Sequence, residues 1–209
     1  MKKQNNIIRG CIAILACNLA FAFYSLQPVY AAGTPNINIV NCSASDEFYG
    51  AVNSVVNSLP PQLKTMAANN NVSINCYKSA TEFSNYSNAW GTTKKFKTLV
   101  DGNASYSVVI GVFEGCPTEH IARVLYHELG HAYDYIIKKS TGTKASETEL
   151  FNNCCANETK NLYNSFRIQD YNKNNSEYYA ESFAAYWLAN ETFATQCPKL
   201  NAYWQVVWQ

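Results

Sequence analysis

Hydrophobic and polar positions follow two different periods along this chain, and the periods predict its secondary structure. Strict alternation over 35–40 and 72–77 predicts two strands, and the apolar run Tyr106–Phe113 predicts a third. Apolar residues at helical spacing predict helices over 46–58, through Leu63 and Met66, and over 121–136, 146–166 and 177–190. The stretch 78–102 shows neither period and is predicted to be loop with some short helix. Because the strands precede most of the helices, the predicted class is α+β, mainly helical.

The first 31 residues have the organisation of a secretory signal peptide. The N-terminus is basic, an apolar run extends from about Ile12 to Tyr24, and Ala31 ends a small-residue cleavage site. We expect cleavage after Ala31, which leaves about 178 residues as a single secreted domain over 32–209. Asn18 interrupts an apolar run already shorter than a bilayer span, so we expect no retained membrane anchor.

The balance of charge excludes one class of partner, and the cysteines predict cross-links. Sixteen basic and fifteen acidic residues give a net charge of +1 without a large basic cluster, so we expect no nucleic-acid partner. Six cysteines follow the signal peptide, and an even number in an exported chain predicts disulfides, with 15 possible complete pairings. A structural metal bound by the cysteines is the alternative, although no C-x-x-C pair is present. The six are Cys42, Cys76, Cys116, Cys154, Cys155 and Cys197.

An H-E-x-x-H pattern at 127–131 supplies the chemistry. On a helix, His127 and His131 lie one turn apart on the same face, so both imidazoles can bind one metal ion. Glu128 then lies beside the metal, where it can take a proton from the attacking water as the general base. The alternative is a surface helix with two unrelated histidines, but the chain has only three histidines in all. The pattern predicts one catalytic zinc ion per chain.

The third zinc ligand has to come from a different helix. His120 lies two turns before His127, roughly 10 Å along the axis, which is too far for a shared ion. Glu177 and Glu181 lie one turn apart on an otherwise apolar and aromatic helix, where buried carboxylates need a cation. Either one can be the ligand while the other accepts a hydrogen bond from an imidazole N–H. Two solvated surface residues are the remaining alternative.

Two segments carry a family resemblance. The H-E-L-G-H-A-Y-D segment from His127 and the E-Y-Y-A-E-S-F segment from Glu177 resemble the catalytic domain of anthrax lethal factor and the related secreted Pro-Pro endopeptidases. The similarity is clearest from about residue 105 to 190. It implies a zincin-like metallopeptidase fold, Glu177 as the third zinc ligand and Glu181 beside the ligands. It also implies that Tyr171 stabilises the oxyanion, although Tyr171 lies one residue closer to the glutamate than in the family.

The resemblance also implies how substrate binds. The strand Tyr106–Phe113, with Val109 and Gly111, would be the sheet edge above the zinc and would pair with an extended peptide. Trp90 either walls a substrate subsite or packs in the core. Ser176 stands before the ligand where the Pro-Pro enzymes carry an acid, so cleavage between prolines remains one candidate specificity.

These observations predict a secreted zinc-dependent endopeptidase that works as a monomer on protein or peptide substrates. Glu128 would be its general base. The alternative function is a toxin-like or binding domain of the same fold that does not turn over substrate.

Overall fold

The computed structural model describes residues 36–100, 103–166 and 174–208. The predicted signal peptide and Tyr171 lie outside these residues, so the predictions for them remain predictions. The described residues form a four-stranded sheet and seven α-helices, which confirms the α+β, mainly helical class. They group into two compact units, one over residues 32–136 and one from residue 137 onward.

The sheet belongs to the N-terminal unit and has the strand order β1-β2-β4-β3. Its strands are β1 (Asn38–Asn41), β2 (Val72–Tyr77), β3 (Gly91–Val100) and β4 (Asn103–Phe113). β1, β2 and β4 are parallel, and β3 runs antiparallel to β4. Alternate residues of β2 are buried, β4 is buried at Val108 and over 110–113, and Ile74 lies opposite Ile110 at the centre of the parallel pair. These apolar rows form the core of the unit.

Three α-helices begin in the N-terminal unit. They are α1 (Asp46–Ser58), α2 (Pro61–Asn69) and α3 (Ile121–Thr141). Ser45 caps α1 by accepting a hydrogen bond from the Phe48 amide, and Pro61 opens α2 at a position where no amide donor is needed. Short 3-10 turns lie at Ala80–Glu82, Thr118–His120 and Ala145–Glu147.

β3 corrects two expectations at once. Its residues were predicted to be loop, yet Gly91–Val100 pairs with the whole length of β4. β4 therefore has a neighbour on each side, and β3 is the edge strand on that side of the sheet. The sequence pattern hides β3 because three lysines replace the apolar residues of a typical strand, as is common at sheet edges.

The C-terminal unit is built from helices around an aromatic core. The helices are α4 (Glu149–Phe166), α5 (Asn175–Leu188), α6 (Asn190–Gln196) and α7 (Pro198–Val207). Trp204 is fully buried and makes edge-to-face contacts with Tyr179, Phe183 and Tyr203. The buried Glu158 of α4 accepts hydrogen bonds from the amides of Lys199 and Leu200, the second and third residues of α7. This carboxylate fastens α7 to α4.

The six cysteines of the described residues are free thiols, so the predicted disulfides are absent from the structure. Four of them are buried and fill core positions as small apolar side chains. Burial raises the pKa of the Cys76 thiol to about 12 and that of Cys116 to about 11. The even number of cysteines could not by itself show whether these residues are buried core thiols or form disulfides.

Among the described residues, no helix has the length and apolar character that crossing a bilayer requires.

Candidate metal centre

Helix α3 brings the two histidines of the pattern together. Its apolar stripe is fully buried at Ile121, Leu125 and Leu129, which fixes the rotation of the helix against the core. The rings of His127 and His131 then lie 4.7 Å apart and nearly perpendicular, with 3.1 Å between their Nε2 atoms. Two nitrogens bound to one tetrahedral zinc at about 2.0–2.1 Å are about 3.4 Å apart, so the observed spacing suits a shared ion.

Glu177 completes a group of three metal-ligand side chains. His127, His131 and Glu177 each offer one ligand atom, and the three atoms all lie within 4.8 Å of one another. Each of the three residues is half-buried. Two imidazoles and one carboxylate form the donor set of many catalytic zinc sites. The donors present therefore fit a zinc ion, and the structure contains a possible metal site of His-His-Glu type.

The N-terminus of α5 sets the position of Glu177 along its helix. Asn174 is the N-cap, and its side chain accepts a hydrogen bond from the Ser176 amide. Glu177 lies in the first turn, where the helix dipole favours a negative charge. Glu181 lies one turn later and is only 4 % exposed, so it is not a solvated surface residue.

Glu128 is held by the edge strand. Its side chain is 6 % exposed, and its Oε2 atom accepts a hydrogen bond of 2.6 Å from the Thr93 hydroxyl of β3. The Thr93 hydroxyl also lies 3.1 Å from the Glu128 carbonyl oxygen. A short bond to a carboxylate is of the strong, charge-assisted kind. The candidate base is therefore tied to the sheet as well as to its own helix.

Gly91 makes this close approach of β3 to α3 possible. A Cβ atom at position 91 would lie 2.6 Å from Val124 Cγ1, 2.9 Å from Glu128 Cγ and 3.0 Å from Glu128 Oε1. Thr93 was not among the predicted site residues, because its segment was predicted to be loop. The dipeptide Asp101-Gly102, a common hairpin turn in sequence, was the available signal for a strand pair here.

Trp90 is exposed, so the prediction that it packs in the core is wrong. The side chain is 43 % exposed and stacks on the His120 ring, with centroids 5.2 Å apart and an interplanar angle of 13°. Trp90 directly precedes Gly91 at the start of β3. The other predicted role, as the wall of a substrate subsite, is compatible with this exposure.

The predicted substrate contacts on β4 need correction. Val109 is opposite Ser73 of β2 on one side and Lys94 of β3 on the other, so its strand has no open edge. Gly111 is buried, and a Cβ there would lie 2.4 Å from the Phe83 ring. These two residues belong to an interior strand, and within the part of the chain that the structure describes the edge strand that contacts α3 is β3.

Comparison with known proteins agrees with these observations. The sequence model of the family described as "Anthrax toxin lethal factor, N- and C-terminal domain" matches residues 53–203. Among solved structures, the Pro-Pro endopeptidase PPEP-2 from Paenibacillus alvei is similar, with a TM-score of 0.52 and 15 % sequence identity. The similarity covers 79 % of this chain and 94 % of that one, and it shows a shared fold. No curated protein matches this chain.

Proposed function

We propose that this chain, which belongs to the anthrax toxin lethal factor family, is a zinc-dependent endopeptidase. One observation supports the proposal most directly: three ligand-type side chains lie close together while the buried carboxylate of Glu128 adjoins the first of them. Hydrolysis by an activated water requires at least a set of metal ligands and a carboxylate fixed beside them. The likeness to a Pro-Pro endopeptidase adds the shared fold.

In the proposed reaction His127, His131 and Glu177 would hold the zinc ion. A zinc ion supplies Lewis-acid chemistry that activates a water and polarises the scissile carbonyl. Glu128 takes the proton of the attacking water and passes it to the leaving amine. Glu181 orients an imidazole by accepting its N–H. Tyr171 donates a hydrogen bond to the oxyanion, a role that comes from the family resemblance.

We place the substrate on β3 instead of β4. β3 has one side paired with β4, and its first residues lie directly against Glu128. An extended peptide that adds to an open strand edge receives main-chain hydrogen bonds in a fixed register. Trp90 would then wall a subsite at the start of the strand. Cleavage between prolines is a candidate specificity, and the enzyme would act as a secreted monomer after removal of residues 1–31.

The test uses the chain over 32–209, casein and a peptide library that includes Pro-Pro bonds. We expect about one zinc per chain and cleavage that a chelator abolishes and added zinc restores. Glu128→Ala should keep its zinc and lower kcat about 10²–10⁴-fold, since general-base catalysis contributes that much. Glu119→Ala, which changes an exposed acid just before α3, is the matched control and should cleave normally.

Two outcomes would count against the proposal. A chain without bound metal would contradict the zinc site. A chain that binds zinc but cleaves nothing in a chelator-sensitive way would favour a binding domain of the same fold.

A further inference from the structure

Thr93 lies where β3 meets the metal-site helix, and this contact has a fixed register. Alternate residues of β3 face successive positions of α3: Gly91 lies against Val124 and Glu128, Thr93 bonds Glu128, and the Lys95 ammonium lies 4.5 Å from the centre of the Tyr135 ring. Side chains of a strand alternate between faces, so these three residues share one face. The register leaves Thr93 as the residue opposite the candidate base.

The Thr93 hydroxyl has a single proton to donate. Two acceptors lie near its Oγ1 atom, the Glu128 Oε2 atom at 2.6 Å and the Glu128 carbonyl oxygen at 3.1 Å. The shorter contact leads to a charged acceptor, so the hydroxyl donates its hydrogen bond to the carboxylate. The bond fixes the last torsion of the glutamate side chain, which is otherwise broad.

The other carboxylate oxygen lies against Gly91. Glu128 Oε1 lies 3.0 Å from the point where a Cβ of residue 91 would be, so it faces a backbone that carries no side chain. The two oxygens of Glu128 are thereby made different. Oε2 is engaged by Thr93, and Oε1 faces the glycine.

We propose that Thr93 is a positioning residue for the proposed peptidase reaction, and this inference rests on the proposed function. By holding Oε2, its hydroxyl presents Oε1 as the oxygen that takes the water proton and returns it to the leaving amine. A general base contributes fully only when it is held at the reacting distance, and a displacement of about 1 Å can lower the rate about 10²-fold.

The test compares Thr93→Val, which keeps the shape and removes the hydroxyl, with Thr93→Ser, which keeps the hydroxyl. We expect Thr93→Val to lower kcat about 10- to 100-fold with KM within about 2-fold and with zinc content unchanged. Thr93→Ser should recover kcat to within about 3-fold of the unaltered chain. Thr195→Val is the matched control, because it removes a hydroxyl that donates to the Glu191 carbonyl of its own helix, and kcat should not change.

Three results would overturn the inference: an unchanged kcat in Thr93→Val, an equal loss of kcat in Thr93→Val and Thr93→Ser, or a loss of zinc from Thr93→Val. Crystal structures of the metal-free chain give a readout that does not depend on activity. We expect Glu128 in one conformation in the unaltered chain and displaced in Thr93→Val. If the unaltered chain cleaves nothing but this displacement occurs, the peptidase proposal fails while the positioning contact stands. An undisplaced Glu128 would overturn the positioning role itself.

Discussion

Position 91 requires glycine because a Cβ atom has no room there, and not because of the backbone conformation. Its φ lies outside the left-handed region, but an added Cβ would enter the van der Waals radii of Val124 and Glu128. Strand and helix are both packed here, so neither can move without a cost. A single missing side chain therefore sets how closely the sheet approaches the candidate base.

Gly91→Ala should destabilise the protein by about 1–3 kcal/mol, the usual cost of overpacking. Combining it with Val124→Ala should return part of that loss, since the closest clash is with Val124 Cγ1 at 2.6 Å. Urea unfolding followed by circular dichroism measures both. Gly115→Ala is the control, because nothing lies within 4 Å of its Cβ position. Equal unfolding midpoints for Gly91→Ala and Gly115→Ala would show that the contact is looser than described.

At the scale of elements, the sequence predicted what depends on local pattern and missed what depends on pairing. α3 was predictable because its apolar stripe and its two histidines repeat at the period of one helix. β3 was not, because an edge strand needs only one partner and its lysines erase the alternation. Thr93 was invisible for the same reason: its importance comes from a residue 35 positions later in the chain.

The third ligand shows the same limit in another form. Sequence spacing reduced the candidates to Glu177 and Glu181, but both lie on one helical face, so spacing could not separate them. Glu177 belongs to the candidate metal-binding group in the structure, and Glu181 is the more deeply buried of the two. A choice between neighbours one turn apart requires the distance across to a second helix.

The attachment of α7 to α4 gives a prediction at this scale. Glu158→Ala should lower the free energy of unfolding by about 2–4 kcal/mol, because the half-buried amide of Lys199 and the buried amide of Leu200 lose a charged acceptor. Chemical denaturation measures the loss. Glu147→Ala is the matched control. Glu147 is exposed and its ion pair with Lys144 is 3.9 Å long, so its removal should cost less than about 0.5 kcal/mol. Similar losses in both variants would refute the capping role.

For the molecule as a whole, the buried thiols predict a weakness at alkaline pH. Burial holds the pKa of Cys76 and of Cys197 at about 12, above the value of 9.0 for a free thiol. Between these two pKa values the unfolded chain releases a thiol proton that the folded chain keeps. The contribution of each buried thiol to the free energy of unfolding is therefore fully present below pH 9 and is lost as pH rises toward 12. Each thiol should cost about 1 kcal/mol at pH 10.

Urea unfolding under reducing conditions from pH 8 to 10.5 tests this expectation. The variant Cys76→Ala should be less stable at pH 8, because it leaves a cavity, but should lose less stability with rising pH. The same slope in both proteins would mean that other groups cause the alkaline loss.

The open edge of β3 has one more consequence, which concerns self-recognition. A strand edge that can pair with a substrate peptide can equally pair with the same strand of another copy. Such pairing leads to aggregation. Lys94, Lys95 and Lys97 give this edge three positive charges, so two copies brought side by side would repel each other. A substrate peptide without such charges would meet no repulsion. The lysines would thus keep the β3 edge available for substrate peptides, and their neutralisation should produce fibrils before it alters the fold.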